Sequence, residues 1–109
     1  MDEEQAKEMV GQYQHYQQQM QSIMIQRDTM QLQLFEVNKA LEELAKTKNE
    51  KAYKITGQIM VIKPVEEIKV ELTQQKEALE IKIKSMENNE QKVTQKLKEL
   101  EAQLKKMVE

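Results

Sequence analysis

Cysteine is absent from the 109 residues, which excludes a disulfide-stapled fold and a thiolate metal site alike. Glycine and proline are confined to Gly11, Gly57 and Pro64. Gly-rich phosphate loops therefore have no material, whereas long uninterrupted helices do. Long apolar runs are missing too. The longest, Ile59 to Ile62, falls far short of the roughly 20 residues that span a bilayer. The acidic opening Met1-Asp2-Glu3-Glu4 lacks the pattern of a secretory signal. A cytoplasmic protein without a membrane segment is expected. Apolar residues are 39% and charged residues 33%, where about 45–50% and about 25% are usual. Too little apolar material is present for a thick core. A net charge of −2 argues against nucleic-acid binding, which needs a basic surface to displace counterions.

What is there is a heptad pattern. Met9, Tyr13, Tyr16, Met20, Ile23, Arg27, Met30, Leu34, Val37, Leu41 and Leu44 follow one another in alternating steps of four and three. All but Arg27 are apolar and the residues between are mostly polar, which is a coiled-coil seam on a helix from about 5 to 46. The second half repeats it with Leu79, Ile83, Met86, Glu90, Val93, Leu97, Leu100, Leu104 and Met107. Val65, Ile68 and Leu72 continue that face in a shifted phase, a stutter near 75 to 79. Pro64 suits the first residue of this second helix, about 64 to 107, because the N–H it lacks would be unpaired there.

Between the helices lies the one β-rich stretch, residues 52 to 63. Tyr53 and Ile55 alternate with Lys54 and Thr56, Gly57-Gln58 offers a tight turn, and Ile59, Met60, Val61 and Ile62 follow. This spells a short hairpin. Its central position folds the helices back antiparallel, with both termini together. Constant layers would pair residues whose numbers sum to 113 or 120, and the sequence leaves both open. Arg27 and Glu90, the polar entries of the two seams, sum to 117 and are expected to meet and fix the register. Residues 1 to 45 carry −5 and 46 to 109 carry +3, so the halves attract. An isolated hairpin is marginal in water, with unpaired groups along both edges. One that is apolar on both faces needs cover from other chains. Tyr53, Ile55, Gly57, Ile59, Met60, Val61 and Ile62 are thus expected to build a sheet or barrel shared between subunits.

Four stretches together resemble the prefoldin beta subunit, archaeal type, over essentially the whole chain. They are Tyr13-Gln-His-Tyr16-Gln-Gln-Gln19, Lys39-Ala-Leu-Glu-Glu-Leu44, the central Tyr53-Lys-x-x-Gly57-x-Ile59-x-Val61, and Glu90-Gln-Lys-Val before a Leu/Lys-rich end. The resemblance implies a single domain over 1–109 and a mainly α fold: an antiparallel two-helix coiled-coil hairpin whose central β-hairpin assembles into an intersubunit β-barrel. It implies a hexamer of two prefoldin alpha and four beta subunits. Such a complex would hold unfolded client proteins at the coiled-coil tips and deliver them to a group II chaperonin without ATP.

On the residues themselves, the tip expected from the helical hairpin gathers Met9, Val10, Tyr13 and Tyr16 with Leu100, Leu104, Met107 and Val108. Val10 and Val108 lie beside the seam; for the others seam packing competes with client contact. Methionine-containing surfaces adapt to varied apolar partners, and several tips together would gain avidity. Lys105 and Lys106 fit an acidic chaperonin surface or ordinary dipole complementation. His15 reads as a solvated helix residue. Met20, Met30 and Met86, with Met24 beside Ile23, read as core rather than metal or redox groups. Glu42-Glu43 and Glu66-Glu67 point different ways on a helix without a pocket, and Glu66-Glu67 complement a helix N-terminus. No enzyme activity, cofactor or metal is expected. The competing reading is a structural coiled-coil adaptor or spacer with a hairpin hub, against which the β insert itself argues. An RNA-gripping arm ranks last, since the first helix has only three basic residues.

Overall fold

Residues 2–108 are described by a computed structural model. The chain runs α1 (Glu3–Lys46), β1 (Lys51–Thr56), β2 (Ile59–Pro64) and α2 (Val65–Val108). The first helix starts earlier than about residue 5 because Asp2 caps it. Its carboxylate accepts the Gln5 N–H at 2.8 Å, and the Gln5 side chain accepts the Asp2 N–H at 3.3 Å. This is a reciprocal capping box. Glu3 and Glu4 add negative charge where the helix dipole favours it.

Two compact units divide the chain. The first joins the N-terminal part of α1, to Thr29, with the C-terminal part of α2, from Ile83. The two segments run antiparallel, since Tyr13 bonds Glu101 and Arg27 bonds Glu90. Hollows flanked by Met20 and Leu97, then by Ile23 and Val93, step along the alignment of the Arg27–Glu90 pair. That stagger lies midway between the sums 113 and 120. Ile83, Val93 and Leu100 are buried.

The second unit, Met30–Lys82, holds the end of α1, the hairpin and the start of α2. Its buried residues are Val37, Val65, Ile68 and Leu79. Along α2, Leu72 and Lys76 are half-buried between Ile68 and Leu79. The covered face there steps by four twice in succession, from 68 to 72 to 76, a stutter that lies just ahead of the expected 75 to 79, and a lysine stem occupies one of its positions. Every seam position expected in either helix is buried or half-buried. Met24 is not, being exposed: it lies one residue off the seam, on a surface turned to water rather than in the core.

The strands pair antiparallel, from Lys51 opposite Pro64 to Thr56 opposite Ile59. Gly57 and Gln58 form the two-residue turn, and Gly57 has φ +61°. No other described residue has positive φ. A positive φ at the first turn position alone fits a type II′ turn, whose twist matches that of the strands. Pro64 closes β2 instead of opening α2, a correction to its expected place. The physical reason lies one residue on, where the Val65 N–H donates to the Glu50 carbonyl at 2.8 Å. That bond carries the strand pairing up to the helix start and satisfies a donor that a helix N-terminus leaves orphaned.

Candidate assembly face and tip

Residues directly opposite in an antiparallel ladder share a face. The pairing therefore sorts the hairpin into two surfaces. Tyr53 with Ile62 and Ile55 with Met60 form one face, and Ala52 with Lys63, Lys54 with Val61, and Thr56 with Ile59 form the other. The first face is wholly apolar through its centre and exposed, reaching 73% at Ile55. On the second face Ala52, Lys54 and Lys63 are half-buried. Val61 is the least exposed large apolar residue of the hairpin, at 37%.

The second face is turned to α2 by charge. The Lys54 Nζ donates to Glu71 Oε2 at 2.5 Å, and the Lys63 Nζ donates to Glu71 Oε1 at 2.9 Å. Hydrogen bonds from the two lysines hold the Glu71 carboxyl below the ordinary carboxylate range, and the bond to Glu71 raises Lys63 above the usual lysine value. Sequence reasoning missed this cluster. Its signal is the alternation that places Lys54 and Ala52 on one side of β1, but Lys63 joins them only through the pairing register, and Glu71 only through the packing of the hairpin on α2.

In the first unit, Met9, Tyr13, Tyr16, Leu104 and Met107 are half-buried and Leu100 is buried at 8%. These are seam residues. Val10 at 43% and Val108 at 89% remain exposed beside them. The Tyr13 hydroxyl donates to Glu101 Oε1 at 2.8 Å, which raises the Tyr13 pKa; Glu101 was not singled out from the sequence. Lys105 and Lys106 lie exposed in the last turn of α2. His15 is exposed, with its Nε2 3.1 Å from the Gln19 side-chain nitrogen.

In the same unit, the Arg27 guanidinium donates to Glu90 across the seam, and that bond raises the Arg27 pKa. The Nε of Arg27 is buried without a partner. Also unforeseen are exposed apolar residues off the seam: Ile25, Leu32 and Phe35 on α1, Val70 and Ile81 on α2. Lys39 stands over the Phe35 ring, 5.2 Å from its centroid, a cation–π contact that shields part of it. Among the described residues no cluster of His, Asp or Glu is placed to hold a metal, and no helix is long and apolar enough to cross a membrane.

A family model described as prefoldin subunit matches residues 7–109. The chain is 37% identical over 101 residues to a prefoldin subunit beta of Thermococcus kodakarensis, covering 92% of this chain and 86% of that one. It is 35% identical over 105 residues to the prefoldin subunit beta of Archaeoglobus fulgidus, covering 95% and 90%. Among solved structures, the crystal structure of the prefoldin beta subunit from Thermococcus strain KS-1 matches with a TM-score of 0.84 at 36% identity. That match covers 94% of this chain and 91% of the other.

Proposed function

Because the chain belongs to the prefoldin subunit family, we propose that it is a non-catalytic chaperone subunit that acts only when assembled. It joins prefoldin alpha and other beta subunits through its hairpin, as an α2β4 hexamer with a shared β-barrel, in the cytoplasm. The assembled complex holds unfolded proteins at the helix tips and passes them to a group II chaperonin without ATP.

The observation that carries this reading is the exposed apolar face of Tyr53, Ile55, Met60 and Ile62. Four large apolar side chains left in water on a two-stranded sheet are costly, and covering each stabilises by roughly 1.5–3 kcal/mol. A partner hairpin satisfies both that face and the strand edges, which otherwise invite indiscriminate pairing. At the tip, exposed Val10 and Val108 beside half-buried Met9 and Met107 offer a small, adaptable apolar surface. Such a surface binds many clients weakly, and several in one complex multiply their effect.

The direct test of assembly is Ile62→Asp. Val61 is the poorer choice, because it stands opposite Lys54 and an aspartate there would find a cation. With Ile62→Asp the expected result in native mass spectrometry with an alpha subunit is loss of the complex while the helical circular dichroism signal persists. Intact complexes would refute the shared-sheet role.

A further inference from the structure

The hairpin joins α2 without a loop, Pro64 ending one element and Val65 beginning the next. The Val65 to Glu50 backbone bond ties both strands at their base. A hairpin anchored only at its base can still tilt, so its angle to α2 must be set by contacts further out. Ionic contacts are among them. Lys54 rises from β1 and Lys63 from β2, on the same face of the ladder, and each takes one oxygen of Glu71. Glu67, one turn earlier on α2, adds a looser contact to Lys63 at 3.8 Å. Apolar cover on this face is thin, since Ile59 is exposed and Val61 partly so.

We propose that Glu71 is a positioning residue for assembly, an ionic latch that ties both strands to one point on α2 and so aims Tyr53, Ile55, Met60 and Ile62 at the partner hairpin. The inference rests on the reading above that this face joins subunits. Its chemistry is specific to a carboxylate. Both oxygens accept, so two ammonium groups on two strands fix the plane of one side chain. An amide of the same shape would accept at one oxygen and turn an NH2 toward the other lysine.

The latch is intact across the neutral range. Glu71 is held below its ordinary value by Lys54 and Lys63, so its contribution is present above the usual carboxylate range and is lost as pH falls through that depressed value. Lys63 is held above its ordinary value, so its contribution is present below the usual lysine range and is lost as pH rises through the raised value. Around neutrality, ionic strength is therefore the lever, because all three side chains are partly exposed and screened.

The test compares wild type, Glu71→Gln, Glu71→Asp and Ile62→Asp, each titrated with a prefoldin alpha subunit, with assembly read by analytical ultracentrifugation and helicity by circular dichroism. At about 0.05 M salt Glu71→Gln is expected to weaken assembly about tenfold, the order of a charge-assisted hydrogen bond. At about 1 M salt, where the screening length is about 3 Å, the gap should close to within about twofold. Glu71→Asp, which keeps the charge on a shorter arm, should fall between, with the same salt dependence. Helicity stays unchanged throughout. If Glu71→Gln assembles like wild type while Ile62→Asp does not, the latch is refuted and the assembly face stands. A deficit in Glu71→Gln that ignores salt also refutes it. If neither variant alters assembly, the assembly face itself fails and the latch with it.

Discussion

Arg27 and Glu90 are the charged seam members of the first unit, whose other seam positions are apolar, and they meet. A charge in a seam costs desolvation, and removing one partner leaves the other uncompensated, whereas replacing both with apolar residues is often neutral or stabilising. The Arg27 Nε, buried without a partner, adds to that cost. Glu90→Lys is therefore expected to lower the melting temperature, and Arg27→Leu with Glu90→Leu to restore or exceed it, at the expense of a single register. Thermal melts order the three proteins; a Glu90→Lys protein as stable as wild type would remove the pair's role. This meeting was legible in the sequence because both positions belong to seams whose spacing is strict. The Tyr13–Glu101 and Lys54–Glu71–Lys63 contacts were not, since each joins a patterned position to an unpatterned one, and only the folded register brings them within reach.

At the scale of elements, the two helices were read nearly whole, every expected seam position being covered. Their ends were read less well. Asp2 and Gln5 spell a capping box that starts α1 at Glu3, a signal that lies ahead of the first apolar seam residue and outside its periodicity. The missing N–H that suits Pro64 to a first helical turn equally lets it close β2 opposite Lys51. The hairpin depends most on its turn. Gly57 has no atom within 4 Å of where a Cβ would stand, so Gly57→Ala meets no clash, and its penalty is that of a positive φ, roughly 1–2 kcal/mol. The measurable outcome is weaker assembly with unchanged helicity; equal assembly would mean that the turn is remade without a left-handed residue.

For the molecule as a whole, the shortage of apolar residues becomes a matter of distribution. Two narrow seams take about half of them, one hairpin face displays four, and Val10 and Val108 sit at the chain ends beside the tip seam. Such an arrangement stabilises each helix pair modestly and leaves large apolar side chains of the hairpin and of the helix ends exposed. The exposure of Leu32, Phe35, Val70 and Ile81 was not legible, because the fuller apolar periodicity of the seams accounts for the face that each helix covers. The proposed holding function is tested most directly by light scattering of a chemically unfolded client mixed with complexes assembled from an alpha subunit and either the full chain or a chain lacking residues 1–16 and 101–109. The trimmed chain keeps the hairpin, the Glu71 cluster and the Arg27–Glu90 pair, and should assemble but lose most of its suppression of aggregation. Full suppression by an assembled, trimmed complex would contradict client holding at the tips.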